Sequence, residues 1–342
     1  MESTFLPASV QRPLYPILAT QESPRVTVLP VIEAKKPANL PFIEANTKEV
    51  EMNHLQDECI VPVFSRDNEL TISHQSFIET ILDAAKSVFP NESISAPSIR
   101  VSHVVKGRIP EAIHKPVNEL LESDRTIYYE RMMFCFDVPS IHQDIGGNRL
   151  NLTIGGVRAY NHQNLGTKKS PERFQIFIGF KNLVCCNLCV STDGFKASLR
   201  VMDTAAMRIA AEDLFRSYDM ERHLALMSAY QTVGMSESQF AQFLGRCRLY
   251  QYLPSAEKKR LPELKFTDTQ IGMVARAYFQ DKDFGKVEDR ALSLWQMHNL
   301  LTGANKSSYI DDFLDRAENA TVLTTGLAKA LHGDPVYSWF LS

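Results

Sequence analysis

The chain has 342 residues, of which 44% are hydrophobic and 23% charged, a composition typical of a folded globular protein. Its net charge of −3 at pH 7 excludes a uniformly basic nucleic-acid coat. No apolar run is long enough for a transmembrane helix, and the N-terminal segment lacks the basic-then-apolar order of a signal peptide. We therefore expect a cytoplasmic protein that has no membrane partner.

The N-terminal segment is rich in proline. Residues 1–45 contain seven prolines, spaced too closely for a regular helix or a central strand. We predict a disordered arm over residues 1–50. Two roles stay open for this arm: a plain tail, or the segment that binds a host protein.

Residues 51–202 are predicted to form a β-rich α+β core. Its first half contains short strands at 58–63 and 69–72, a helix from Ser73 or His74 to Pro90, a strand at 98–105, and a short helix at 111–121 that Pro116 interrupts. Its second half contains strands at 128–138, 148–160, 174–180, 183–190 and 195–202. Short turns without intervening helices predict an antiparallel meander. Gly155 and Gly156 predict a bulge or a close approach of backbones.

Residues 203–342 are predicted to be a helical region packed on that core. Asp203 or Thr204 is expected to cap a long amphipathic helix over 205–230. Further helices are predicted at 236–247, 268–280, 287–302 and 307–331. The fold class is therefore α+β: an antiparallel β meander in the middle of the chain, followed by a mostly helical C-terminal half.

The six cysteines indicate free thiols. Cys186 and Cys189 have the spacing of half a zinc site, but the sequence has no second pair. Their apolar neighbours are typical of a buried strand, where cysteine acts as a small hydrophobic residue. We predict neither a metal nor a cofactor.

No pattern for a P-loop, a dinucleotide-binding loop, a zinc protease or a nucleophile elbow occurs. We therefore predict no catalytic residue and favour a binding protein over an enzyme. A metal-dependent nuclease would need clustered carboxylates. That alternative requires Asp311 or Asp315 to meet His298 or Glu288 in a cleft.

Two segments favour nucleic acid. Residues 97–200 hold 14 Lys and Arg against 9 Asp and Glu, a net of +5. Within them, the predicted loop over 158–173 supplies cations for phosphates and an aromatic face for an unpaired base. The candidate nucleic-acid-binding residues are Arg158, Tyr160, Lys168, Lys169 and Arg173. The alternative is a solvated hairpin loop.

The second segment, residues 219–248, resembles a helix-turn-helix with Gly234 in the turn. Its second helix would present Gln239, Gln242 and Arg246 to a groove. The alternative is two helices that simply pack on the sheet.

Four strings carry a family resemblance: YYERM at 128–132, GGVRAYN at 155–161, FIGF at 177–180 and VCCNLCVSTDG at 184–194. They resemble an uncharacterised domain-of-unknown-function family of bacterial conjugative transposons and prophages. That family is similar to the broader phage/plasmid-like protein family, which shows a V-C-x-N strand and a late aromatic-x-x-x-N-x-x-T helix. The matching residues here are Val184, Cys185 or Cys186, and Asn187, then Trp295, Asn299 and Thr302.

The resemblance spans roughly residues 55–342 and implies mobile-element biology, without catalytic residues. From the residues themselves, we expect Asn299 to satisfy backbone carbonyls of a neighbouring element.

Three functions remain open. The first is single-stranded DNA binding or strand annealing, because known annealing proteins back an antiparallel meander with a long helix, which is an analogy of fold alone. The second is a non-enzymatic antagonist or regulator that binds a host protein, and the third is a nucleic-acid-processing enzyme. An oligomer is compatible with the first.

Overall fold

The computed structural model describes residues 40–59, 71–162 and 170–342. The strands predicted at 58–63 and 69–72 therefore lie largely outside the described residues, as do residues 1–39 of the predicted arm. All described residues fall within one unit, Lys35–Ser342.

An antiparallel sheet of seven strands lies at the centre. Its members are β1 (Lys48–Val50), β2 (Ser98–Val101), β5 (Arg131–Ile145), β6 (Asn148–Ala159), β7 (Glu172–Asn182), β8 (Leu188–Cys189) and β9 (Phe195–Val201). The order is β1-β2-β5-β6-β7-β8, and β9 also pairs with β7. Two small sheets join β3 (Val104–Arg108) to β4 (Arg125–Tyr129) and β10 (Gly234–Met235) to β11 (Leu292–Ser293). The predicted meander is confirmed.

The helices occupy mainly the second half of the chain. They are α1 (Met52–Asp57), α2 (His74–Val88), α3 (Thr204–Ser217), α4 (Met220–Ala229), α5 (Glu237–Tyr252), α6 (Ser255–Lys258), α7 (Asp268–Gln280), α8 (Leu294–Asn305) and α9 (Ile310–Leu331). The α+β class is thus confirmed. None of the described helices combines the length and the apolar character that a membrane span needs.

Three predicted helices differ from the structure. The helix over 205–230 is broken after Ser217, because Asp219 caps a new helix by accepting a hydrogen bond from the Arg222 backbone. The helix predicted from residue 287 begins at Leu294, where Ser293 forms a capping box. The helix over 111–121 is replaced by short 3₁₀ turns on either side of Pro116, since proline lacks the amide that a helix interior needs.

The two faces of the sheet are covered by different helices. Helix α2 packs its Phe77 edge-on against Phe134, with ring centroids 5.1 Å apart. A Cβ on Gly156 would lie 2.5 Å from the Phe77 ring, whereas one on Gly155 would meet the Phe134 carbonyl oxygen. The predicted close approach of backbones is therefore found at Gly155, and at Gly156 a side chain of α2 fills the space. On the other face, the first half of α9 buries Phe313 against Met133.

The N-terminal side of the sheet is more ordered than predicted. Phe42 and Ile43 are buried against the α9 face, and the amides of Glu44 and Ala45 both donate to the carbonyl of Lys306. The predicted disordered arm therefore reaches too far along the chain, because residues 40–50 bury apolar side chains and include β1.

Candidate nucleic-acid interface

Three arginines lie in one row across the end of the sheet. Arg131 of β5 pairs with Ala159 of β6. The β6–β7 register carries this row on to Arg173, which pairs with Arg200 of β9. Neighbouring strands are about 4.8 Å apart, so the row spans three strand spacings. We call Arg131, Arg173 and Arg200 the arginine row.

The row lies on the α9 face of the sheet. Side chains alternate along a strand, so Arg131 shares the face of Met133, which is buried under α9. Arg173 and Arg200 stand directly opposite each other, and Arg200 is exposed. Like charges in this position repel.

A cleft of about 530 Å³ adjoins the Arg131 end of the row. It is lined by Ala45, Asn46, Thr47, Ser102, His103, Arg131, Tyr309 and Ile310. Tyr309 precedes α9 and is 55% exposed. Its ring centroid lies 5.9 Å from the Arg131 guanidinium carbon. The cleft therefore joins a cation to an accessible aromatic face.

Two carboxylates orient the cation of the cleft. Arg131 Nε lies 3.4 Å from Asp311 Oδ2, and its Nη2 lies 3.6 Å from Glu130 Oε2. His103 Nε2 lies 3.5 Å from the same Glu130 oxygen. A guanidinium carries five N–H donors, so these two contacts hold Arg131 in place and leave donors for a ligand oxygen.

The predicted loop begins beside this cleft. Asn161 Nδ2 donates to Asp311 Oδ2 over 3.3 Å, which is the oxygen that Arg131 also approaches. Lys168 and Lys169 lie outside the described residues, and Arg173 follows as the middle of the arginine row. Among the predicted binding residues that the structure describes, Arg173 therefore belongs to the arginine row.

Arg158 and Tyr160 lie on the opposite face of the sheet, which α2 covers. Arg158 is fully buried and forms an ion pair with Glu172, and its guanidinium carbon lies 4.3 Å from the Tyr160 ring centroid. Burial raises the pKa of Tyr160 to about 12. The sequence predicted that both residues lie in a loop where they could contact nucleic acid, and this prediction is wrong for their positions. Alternation along β6 turns Arg158 toward α2 rather than α9.

The family-motif residues form an internal clamp. Asn187 Nδ2 donates to the Asn299 carbonyl over 3.0 Å, and the Cys185 thiol points to Asn299 Oδ1 over 3.9 Å. Asn299 Nδ2 donates to the Trp295 carbonyl over 2.9 Å, and Thr302 Oγ1 donates to a carbonyl one turn earlier. The motif therefore fixes the turn before β8 to helix α8.

This clamp is buried rather than open to a ligand, since Asn299 is 1% exposed. Asn299 bonds a carbonyl of its own helix, whereas Asn187 serves the neighbouring element, so the expected donor is reversed. Cys186 sits in the turn with φ of 57°. The two asparagines of the motif indicate in the sequence that these elements meet. They do not indicate which asparagine donates the hydrogen bond to the other element.

The segment compared with a helix-turn-helix forms α4 and α5. Gln239 is held in a capping box with Ser236, and Arg246 stacks over Trp339 at 5.1 Å. Gln242 is exposed. Helix α5 packs on α7 through Phe240 and Tyr278, so two of the three predicted groove-facing side chains make contacts within the protein.

The carboxylates of α9 are paired with cations instead of facing one another. Asp312 bonds Arg316 over 3.0 Å, and Asp315 bonds Lys265 over 3.0 Å. His298 is buried, and burial lowers its pKa to about 3. Across the described ranges, no three His, Cys, Asp or Glu side chains converge as metal ligands. In the same ranges, Asp311 and Asp315 contact Arg131 and Lys265, whereas the nuclease alternative required them to meet His298 or Glu288.

Comparison with known proteins adds one relationship. No curated protein and no solved structure matches this chain. A family model described as "Domain of unknown function, B. Theta Gene description (DUF3871)" matches residues 24–341. Because this match covers most of the chain, the protein belongs to the DUF3871 family.

Proposed function

We propose that the protein binds single-stranded nucleic acid along the arginine row and in the adjoining cleft. The observation that carries this proposal is the alignment of Arg131, Arg173 and Arg200 across neighbouring strands. A nucleic-acid backbone carries one negative charge per nucleotide, and cations that neutralise successive phosphates supply most of the affinity.

The exposed Tyr309 ring supports a single strand rather than a duplex. A base can stack on an aromatic side chain only when its own face is free. Arg131 and Tyr309 lie close enough for one nucleotide to place its phosphate on the guanidinium and its base on the ring. Lys168 and Lys169 stay in this proposal as candidate phosphate contacts on the charge pattern of residues 158–173.

The biological setting is also part of the proposal. The resemblance to proteins of conjugative transposons and prophages favours the DNA of mobile elements as the target. Transfer and recombination of such elements expose single strands, which a sheet-edge binder would cover or anneal.

The test is fluorescence anisotropy with labelled oligodeoxythymidylate, the matching RNA and a duplex, each across a salt titration. We expect the single strand to bind most tightly and the affinity to fall steeply with salt. The variant Arg173→Ala/Arg200→Ala should weaken binding at least about tenfold and flatten the salt slope.

The matched control is Arg149→Ala. Arg149 is an exposed arginine at the opposite end of β6, where it contacts His142, and its loss should leave binding unchanged. Absence of binding at low salt, or equal losses in both variants, would overturn the proposal and favour a protein partner.

A further inference from the structure

A thiol, an imidazole, a carboxylate and a phenol meet at the end of helix α1. Cys59 Sγ lies 3.7 Å from His54 Nε2. The other ring nitrogen, Nδ1, lies 3.1 Å from Glu58 Oε2. The Tyr129 hydroxyl lies 2.7 Å from His54 Nε2. This cluster is separate from the arginine row and is not used by the proposed function.

The carboxylate determines which imidazole nitrogen is free. Glu58 can only accept a hydrogen bond when ionised, so His54 Nδ1 carries the proton that points to it. The lone pair of Nε2 then accepts a hydrogen bond from the Tyr129 hydroxyl over 2.7 Å, and the Cys59 thiol lies beside the same nitrogen at 3.7 Å. The thiol proton reaches Nε2 when the Tyr129 hydroxyl turns from donor to acceptor. A nucleophile, a base and a group that orients the base stand in this order in many enzymes that form covalent intermediates.

The thiol needs that base. Burial and the neighbouring Glu58 raise the pKa of Cys59 to about 11, so the sulfur keeps its proton at neutral pH. His54 is half-buried, with 23% of its side chain exposed, while Glu58 is 65% exposed. The imidazole is thus placed to take the thiol proton as the sulfur attacks.

A pocket beside the cluster indicates the charge of the substrate. It has a volume of about 430 Å³ and includes His54 and Glu58 in its lining. Four carboxylates line it, from Glu49, Glu51, Asp57 and Glu58, against the single cation of Lys48. Such a lining favours a positively charged ligand. Lys48 itself sits with its Nζ 4.8 Å from the Tyr129 ring centroid, which marks a cation position at this rim.

We propose that Cys59 accepts an acyl group from a cationic thioester, with His54 as the base and Glu58 as its positioning residue. The sulfur of Cys59 forms a bond to the carbonyl carbon while its proton passes to His54 Nε2. The bond from that carbon to the leaving sulfur then breaks, and His54 returns the proton to the departing thiolate. The products are S-acylated Cys59 and a free thiol. Tyr129 accepts a hydrogen bond from the protonated imidazole during the transfer.

The probe is acetylthiocholine, a thioester that bears a quaternary ammonium. The purified full-length protein is incubated with it between pH 5 and pH 9, and acetylation of each cysteine is followed by peptide mass spectrometry. We expect Cys59 to be acetylated faster than the half-buried Cys185 and Cys186. We also expect the rate to exceed that of a His54 variant at every pH tested, as base assistance requires.

Three variants separate the base from its support. His54→Gln should slow acetylation of Cys59 by about 100-fold, the scale of general-base assistance, and Glu58→Gln should slow it about tenfold and change the pH profile. His332→Gln alters an exposed histidine elsewhere and should change nothing. Because Glu58 is mostly exposed, we expect Glu58→Gln to fold normally. It therefore tests the role of the His54–Glu58 pair even if the His54 variant folds poorly.

A neutral thioester of the same acyl group completes the design. It should react several-fold more slowly than acetylthiocholine at low salt, and this difference should shrink as salt screens the pocket. Two results would overturn the proposal: acetylation of Cys59 at equal rates with and without His54 and Glu58, or equal rates with the cationic and the neutral thioester at low salt. Neither depends on whether the protein binds nucleic acid.

Discussion

Arg158 and Arg173 frame the same loop, yet they belong to two different regions of the molecule. Arg158 lies inside the protein, with Glu172, the Ile72 carbonyl and two aromatic rings around its guanidinium. Arg173 lies in the arginine row, opposite Arg200. The first region packs its cation among a carboxylate, a carbonyl and two rings, whereas the second places two arginines at one register position of neighbouring strands. We therefore expect the first to matter for stability and propose the second for ligand binding.

The physical difference is solvation. A buried guanidinium has no water, so each lost contact leaves a charge uncompensated. An exposed guanidinium keeps water as its partner and contributes little to stability. Changes near Arg158 should therefore affect folding, and changes in the arginine row should affect binding.

The largest expected effect is acid destabilisation of the buried region. Burial lowers the pKa of His74 and His298 to about 3 and that of His223 to about 4, whereas an unfolded histidine titrates at about 6.5. Above the unfolded value, both states are neutral and stability does not vary. As pH falls below it, only the unfolded state takes up protons, so stability drops until the folded pKa is reached.

Each such histidine contributes a slope of about 1.4 kcal/mol per pH unit. Between pH 6.5 and pH 5, the three together should lower the free energy of unfolding by about 5 kcal/mol, because the slope reaches its full value only well below pH 6.5. Urea denaturation at successive pH values checks this expectation. A curve that stays flat from pH 7 to pH 5 would contradict it.

The next largest effect is expected from Arg158→Met. This change leaves the Glu172 carboxylate, which is 13% exposed, without its cation, and should cost about 3–5 kcal/mol of unfolding free energy. Urea denaturation measures the loss. In the double variant Arg158→Met/Glu172→Gln, much of it should be regained, since no unpaired charge remains. Arg149→Ala is the exposed control and should change stability by less than about 0.5 kcal/mol.

A smaller effect is expected from Gly156→Ala on the α2 face. The added Cβ would meet Phe77 at 2.5 Å and the Gln175 carbonyl at 2.8 Å, so we expect a loss of about 1–3 kcal/mol from overpacking. The matched control is Gly245→Ala on α5, where no atom lies within 4 Å of the new Cβ. There alanine should stabilise the helix by up to about 1 kcal/mol. Similar melting temperatures for both variants would show that the α2 face is less tightly packed than the distances imply.

The smallest effect on stability is expected in the arginine row. Arg200→Ala removes one of two like charges that stand opposite each other, so the free energy of unfolding should stay within about 0.5 kcal/mol of the parent value. For this variant, the plot of log affinity for single-stranded DNA against log salt concentration should become shallower by about 0.7, because one phosphate contact is lost. Anisotropy titrations and urea denaturation on the same sample check both expectations. A large loss of stability would show that Arg200 supports the fold and would contradict its proposed role in binding.

Local rules predicted much of the fold. The helix over 268–280 agrees with the structure to the residue, since Thr267 and Gln270 form a capping box at its start. Asp203 caps α3 as predicted, by accepting a hydrogen bond from the Ala206 amide. By contrast, the break at Asp219 was missed, because the apolar pattern of α3 continues into α4 and only the cap marks the boundary.

The candidate site was predicted only in part. Arg173 was identified from its charged loop, but Arg131, Arg200 and Tyr309 were missed. They come from distant parts of the chain and meet only because β5, β7 and β9 share one register and α9 begins beside them. Single-residue patterns carry no information about such pairings.

By itself, the sequence determined where strands, helices and caps form, since these depend on periodicity and on side chains within a few residues of each other. It also determined that Arg158 and Ala159 point to opposite faces of one strand. Both faces are covered by helices, and only the tertiary structure decided which helix covers each face. Helix α2 covers Arg158 together with a carboxylate that neutralises it, whereas the other face carries Arg131, Arg173 and Arg200 toward the cleft. The covering of each face depends on packing between elements that are distant in the sequence. A cation can be buried there only when an opposite charge is buried beside it.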